Sequence, residues 1–232
     1  MNSNTVNAVK ETAGRKFITK VYGWMVIAML ISAAAALATT LGYYNSESFR
    51  YMLASFGYIT LIVLELILVF VLSLAIKKMP VGLAALFFVL YSVVDGMTLS
   101  SIFIVYNINS IGLCFVICAL MFLAMSIYGS VTKSNLTSAG RYLFMALIGV
   151  VIASVLNLLF KSTVLDWIIS LISVVIFVGL TAYDTQKIVK ASEYYNESDA
   201  FKKAAIVSAL ELYLDFINMF LSILRLFGKR KN

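Results

Sequence analysis

Seven long apolar segments, separated by short polar ones, dominate the pattern of residues along this chain. Each is close to, or longer than, the roughly 20 residues that a helix needs to cross a bilayer. The pattern therefore predicts seven transmembrane helices. The seven segments cover about residues 21–44, 53–76, 81–106, 111–128, 142–160, 164–188 and 204–228.

The connections between these segments are mostly short, such as residues 77–80 and 107–110. Short connections make successive helices antiparallel neighbours. We therefore predict an all-α membrane protein: a cytoplasmic segment at 1–20, one polytopic domain at 21–228, and a basic tail at 229–232.

The composition excludes an ordinary soluble domain, since 62% of the 232 residues are hydrophobic and 12% are charged. Histidine is absent, and Cys114 and Cys118 lie in an apolar run, as buried structural cysteines do. We expect no cofactor. The net charge of +7 does not indicate nucleic acid, because most basic residues lie at the ends of apolar runs.

The basic residues predict the orientation. Twelve Lys or Arg residues lie on the side of the amino terminus and two, Arg50 and Lys161, lie in the opposite loops. The amino terminus is therefore expected in the cytoplasm. The basic end of the seventh run conflicts with this rule if that run crosses completely. Either it is re-entrant, or the six preceding spans impose its orientation.

The seventh run carries a polar stripe along one helical face, with members three or four residues apart. A polar face is expensive in lipid, so this helix is expected inside the bundle, facing a cavity or a path. The stripe consists of Ser208, Glu211, Asp215, Asn218, Ser222 and Arg225.

Five carboxylates interrupt the apolar runs, each at a cost of roughly 2.5 to 3.5 kcal/mol if ionised at the bilayer centre. A packing role and a functional role are equally open for Glu65 and Asp95. Asp184 has an alternative as an interfacial ion pair with Lys187, three residues away. Asp215 has Glu211 and Asn218 as its helical neighbours, which favours a function.

Asp184 and Asp215 lie on consecutive runs that meet at one side of the membrane. A helix that starts beyond the surface, or a tilt, would bring them level. Carboxyl groups within about 4 to 6 Å cannot both ionise cheaply, so they would share one proton. Such a pair is a pH-dependent latch: the proton joins the helices and its loss separates them.

Three segments carry a family resemblance: GLTAYDTQKI (179–188), LELYLDFINMFLSILRLFG (210–228) and DGMTLSSIFIVY (95–106). They resemble the Bax inhibitor family, the transmembrane Bax inhibitor motif proteins, in its bacterial branch. The resemblance implies seven helices with the last one central and surrounded by the other six. It also implies a pH-sensitive calcium leak whose aspartate pair falls on Asp184 and Asp215, or, for some bacterial members, modulation of a membrane-anchored AAA protease.

Two features depart from relatives. Glu211 adds a third carboxylate where some have a small residue, and Lys77 and Lys78 stand where the resemblance implies an arginine. A lysine ammonium cannot form the bidentate fork of arginine, so Lys77, Lys78 and Lys187 are candidates, rather than established equivalents, for a basic partner of the pair.

The leading hypothesis is a proton-gated leak for Ca²⁺, which Asp184, Asp215 and Glu211 would bind weakly and transiently. Asn218, Ser222 and Arg225 would extend the polar path. An intramembrane aspartyl protease is the enzymatic alternative, but the second aspartate lies in LYLDFIN rather than in a GxGD loop, and we expect no enzyme. The third alternative is a membrane protein that binds a partner, such as a membrane protease.

Overall fold

The regular structure of the described residues is helical. The computed structural model describes residues 3–76, 78–194 and 198–231, with side chains from residue 14 onward except that of Phe56. Eight α-helices and one π-helical segment (Leu53–Gly57) lie in this described part. The α-helices are α1 (Ser3–Asn45), α2 (Glu47–Met52), α3 (Tyr58–Ala75), α4 (Val81–Val105), α5 (Ile108–Val131), α6 (Thr137–Phe160), α7 (Thr163–Ser192) and α8 (Asp199–Phe227).

Seven of the described helices are long and apolar enough to cross a membrane: α1 from Gly14 onward, and α3 to α8. Each corresponds to one predicted apolar run, and no β-strand occurs in the described ranges. The prediction of an all-α seven-helix membrane bundle is confirmed.

The first helix is longer than the apolar run that predicts it. It begins at Ser3, so the polar segment before residue 21 is, from Ser3 onward, helix that is continuous with the first span. Phe17 is fully buried and its ring packs edge-on against Phe201 at 6.0 Å between centroids. Apolar contacts of this kind explain why a segment of polar composition is held in place.

The described chain forms two compact units. The first contains Met1–Tyr106, Ser192–Leu210 and Lys231. In it, α1 packs closely on α4, where the Ser32 hydroxyl donates a 2.7 Å hydrogen bond to the Ser92 carbonyl. The missing side chain of Gly96 permits this approach, because a Cβ there would lie 2.7 Å from Ser32 Cα.

The second unit contains Asn107–Ala191 and Glu211–Arg230, hence α5, α6, most of α7 and the carboxyl-terminal part of α8. Phe216 of α8 packs edge-on against rings of α5. Cys114 and Cys118 are buried in α5, and the Cys118 thiol lies 3.5 Å from the Phe216 carbonyl. Both cysteines fill the core, in agreement with their place in an apolar run.

Helix α8 is long enough to cross the membrane. Its 29 residues extend about 43 Å at 1.5 Å per residue, more than the roughly 30 Å of hydrocarbon. At its start, the Lys203 ammonium donates to the carbonyl of Met79, just before α4. Beyond its end, the backbone N–H of Lys231 donates to Val105, the last residue of α4. Because α8 is one unbroken helix with its ends beside the two ends of α4, the structure favours a complete crossing over the re-entrant alternative.

Helix α8 is also the most buried of the candidate spans. In its most apolar stretch 67% of the residues are buried, against 0% to 39% for the other described spans. High burial is what a central helix with polar residues requires, because it keeps them away from lipid.

The full crossing of α8 predicts that its two ends react from opposite sides of a sealed vesicle. Cysteine introduced at Lys202 and at Arg230, both exposed, is expected to be labelled by an impermeant maleimide from one side each. The parent protein is the control, since Cys114 and Cys118 are 2% and 0% exposed. Labelling of both positions from the same side would contradict a complete span.

A carboxylate pair at a cavity between α6, α7 and α8

Asp184 and Asp215 lie on neighbouring helices of the second unit. Asp184 is eight residues before the end of α7, and Asp215 is sixteen residues after the start of α8. Those offsets equal about 12 Å and about 24 Å of helix. The two residues still come level, because α8 begins farther out, with the polar residues that precede its apolar run.

The carboxyl groups of this pair meet in the interior. Asp184 is 8% exposed and Asp215 is 5% exposed, and the two carboxyl groups are close enough to interact electrostatically. A hydrogen bond between two such groups would need a proton on one of them. One carboxylate oxygen of Asp215, Oδ2, is buried and accepts from no donor in the described residues.

Lys187 binds Glu211 more closely than it binds Asp184. Its ammonium donates to both carboxylate oxygens of Glu211, at 2.7 and 2.8 Å, and lies 3.9 Å from Asp184 Oδ1. The spacing of three residues predicts the contact with Asp184 but not the shorter one across the helices. Glu211 is thereby neutralised by Lys187, which weakens the repulsion of Asp215 expected from the sequence.

A cavity of about 560 Å³ adjoins the pair. Its lining contains Asp184, Asp215, Lys187 and Glu211, together with residues of α6, and most of the remaining lining residues are apolar. The volume falls in the range of small-ligand sites and exceeds that of an ion with several waters. The pair therefore borders open space rather than a sealed core.

Helix α6 supplies a wall of this cavity that the sequence analysis missed. Gly140 is the buried residue of α6, and a Cβ there would lie 2.5 Å from the Tyr183 ring, next to Asp184. Arg141 follows it and lines the cavity. In the sequence, Arg141 is one of the twelve basic residues that indicate the orientation, and no other role was predicted for it. The glycine directly before it, at the start of an apolar run, was the available sign of close packing.

The rest of the predicted polar stripe is divided. Asn218 lines the cavity, but its amide donates to the Leu214 carbonyl of its own helix. Ser222 is buried and likewise donates to the carbonyl of Asn218. Arg225 is exposed near the end of α8 and does not line the cavity. The stripe thus contains a cavity-facing part, from Glu211 to Asn218, followed by residues outside the cavity lining.

Glu65 and Asp95 belong to a second polar cluster, within the first unit. The Glu65 carboxyl lies close to the Thr98 side chain, and the Asp95 carboxyl lies close to the Tyr91 hydroxyl. Glu65 Oε1 is buried without a hydrogen-bond partner. Neither carboxylate lines the cavity at Asp184 and Asp215.

The candidate basic partners differ in what the structure shows of them. Lys77 lies outside the described residues. Lys78 is exposed in the connection between α3 and α4 and does not line the cavity, whereas Lys187 does. Lys187 is thus the candidate that the structure places beside the pair.

The expected binding of Ca²⁺ by three carboxylates does not match the observed arrangement. No group of three His, Cys, Asp or Glu side chains within the described ranges is arranged to hold a metal ion. Asp184 and Asp215 contact each other, but both oxygens of Glu211 accept from Lys187. Any cation passing this site would meet the lysine ammonium as well as the carboxylates.

Comparison with known proteins agrees with the resemblance of the three signature segments. An inner membrane protein of Escherichia coli K12, YbhL, is 46% identical over 230 residues, which is 96% of each chain. An uncharacterised protein of Borreliella burgdorferi is 43% identical over 220 residues, covering 94% of this chain and 93% of the relative. An uncharacterised membrane protein of Streptococcus pyogenes serotype M1 is 36% identical and covers 99% of both.

The family described as "Inhibitor of apoptosis-promoting Bax1" matches residues 14–232, which include all seven spans and both members of the aspartate pair. This chain is therefore a membrane protein that belongs to the Bax inhibitor family.

Proposed function

We propose that this protein is a pH-sensitive leak for cations, Ca²⁺ above all, gated by Asp184 and Asp215. The observation that carries the proposal is that two buried carboxyl groups, one on α7 and one on α8, lie close enough to interact at the edge of a cavity. Ca²⁺ is here the transported ion and not a resident cofactor.

The gate operates through one proton. While the pair shares it, the hydrogen bond joins α7 to α8. When the proton leaves, two negative charges about 4 Å apart repel each other by about 4 kcal/mol at an effective dielectric constant of about 20. This repulsion is a large share of the free energy with which one helix packs against another. Helices α7 and α8 therefore separate at the pair.

The sign of the response follows from this order of events. The protonated pair is the joined, closed state, and it persists at low pH. Raising the pH removes the shared proton, which opens the contact. The carboxylates then present oxygen atoms, the ligands that Ca²⁺ prefers. Because conduction requires an ion to leave again, a site with few protein ligands suits a leak.

The cytoplasmic orientation of the amino terminus is part of this proposal. With this orientation, the carboxyl-terminal end of α7, the start of α8 and the nearby aspartate pair lie on the cytoplasmic side. Cytoplasmic pH would then control the gate. The charge distribution of the loops supports this orientation, with twelve basic residues on that side.

The test is Ca²⁺ flux into liposomes that contain the purified protein, measured across a pH series with a trapped calcium dye. Flux is expected to rise with pH and to exceed that of empty liposomes at each pH. Since no other protein is present, the same assay distinguishes a leak from a chain that acts only by modulating a membrane protease. Flux equal to that of empty liposomes at every pH would refute the leak.

A further inference from the structure

We propose that Lys187 is a tethered cation that blocks the cavity beside the aspartate pair, and that Glu211 holds it there. This inference rests on the proposed function, since it assigns the element that limits cation entry to the same site. It gives Glu211 a role different from cation binding: in the closed state, its carboxylate binds a cation of the chain itself.

The geometry of Lys187 is that of an ion in a carboxylate site. Its ammonium contacts three oxygen atoms from two helices: both of Glu211, at 2.7 and 2.8 Å, and Asp184 Oδ1 at 3.9 Å. The side chains of Lys187, Glu211 and Asp184 are 47%, 31% and 11% exposed. The ammonium thus lies at the boundary between the accessible end of the cavity and the buried pair.

The lining that contains Lys187 also contains a carboxylate oxygen that accepts no hydrogen bond. Asp215 is 5% exposed and lines the cavity, and its Oδ2 has no hydrogen-bond partner. A buried and unpartnered carboxylate oxygen is costly unless something binds it. A cation entering the cavity would bind this oxygen. The positive charge of Lys187 repels such a cation, and its ammonium already contacts oxygens of Glu211 and Asp184.

The other charged and titratable groups around the cavity do not replace Lys187. Helix α6 contributes Arg141, and α7 contributes the Tyr183 ring next to Asp184. Arg141 adds a second positive charge to the lining, and no carboxylate contact is found for it among the described residues. Without Lys187, the cavity lining would contain three carboxyl groups and one positive side chain, that of Arg141. The cavity would then attract cations.

A purely structural ion pair would behave differently. Exposed and half-exposed ion pairs stabilise proteins little, and loss of such a pair would leave ion passage unchanged or reduce it through misfolding. A blocking ammonium predicts the opposite: loss of Lys187 increases cation entry. The direction of the change in flux therefore distinguishes the two roles.

The experiment compares Lys187→Met and Lys187→Gln with Lys190→Met in the full chain. Lys190 lies three residues farther along α7, and its ammonium donates to Gln186 and Asn135 instead of to a carboxylate. Ca²⁺ flux into liposomes at fixed pH is expected to rise about tenfold in both Lys187 variants, in line with the effect of a local field on ion concentration. Lys190→Met is expected to keep the parent flux.

A second measurement does not depend on transport. Added calcium chloride is expected to raise the thermal unfolding midpoint of the detergent-purified Lys187 variants more than that of the parent protein. If the parent shows no leak but the variants gain this Ca²⁺ stabilisation, the proposed leak fails and the blocking role stands. If the parent leaks with the expected pH response while both folded Lys187 variants show unchanged flux and no added Ca²⁺ stabilisation, the blocking role is overturned.

Discussion

Asp215→Asn is expected to remove the pH dependence of cation flux. The parent flux should change by up to about tenfold per pH unit where one proton controls the gate. An asparagine amide cannot lose a proton in this range, and it can still donate a hydrogen bond to Asp184. The variant should therefore retain the joined state of α7 and α8 at high pH and show a low, flat flux profile in the liposome assay.

Asp184→Asn provides the reciprocal test of the same pair. The shared proton belongs to both carboxyl groups, so either substitution should flatten the profile. Asp166→Asn is the matched control: Asp166 lies in the first turn of the same helix, far from the cavity lining. It is expected to keep the parent pH response. If both Asp184→Asn and Asp215→Asn respond to pH as the parent does, the carboxylate latch is wrong.

Gly129→Ala is expected to have the largest effect on stability. Gly129 lies on α5, and a Cβ there would collide with the carbonyl oxygen of Ala182 on α7, a backbone atom that cannot rotate away. Overpacking of this kind costs about 1 to 3 kcal/mol. The thermal unfolding midpoint in detergent should fall clearly, and because Ala182 lies two residues before Asp184, the pH profile of flux should also shift.

Gly149→Ala is the control for that substitution. Nothing lies within 4 Å of a Cβ at Gly149, on α6, so alanine meets open space there. Alanine also favours a helix over glycine by about 1 kcal/mol. The midpoint of Gly149→Ala should equal or exceed that of the parent. A fall as large as that of Gly129→Ala would show that the loss comes from changing a glycine and not from the collision.

The structure changes the meaning of two residues that the sequence analysis singled out. Glu211 looks like a third carboxylate that repels Asp215, because helical spacing places it one turn away. Its two short bonds to Lys187 make it an ion-pair partner instead. Lys187 in turn looks like the partner of Asp184 by its spacing, yet its shorter contacts are with another helix. Spacing describes neighbours on one helix, whereas these contacts depend on how two helices are rotated and offset.

The sequence by itself determined the seven spans, because an apolar run long enough for the bilayer has no stable alternative to a membrane helix. It also identified the buried carboxylates, since an ionisable group in such a run is too costly to occur without a reason. Only the tertiary structure decided that Asp184 and Asp215 are level, that α8 is one unbroken helix whose ends lie beside those of α4, and that Gly140 and Arg141 of α6 form a wall of the cavity. These features arise from the offsets and close approaches of helices that are distant in the chain, which no local pattern of residues specifies.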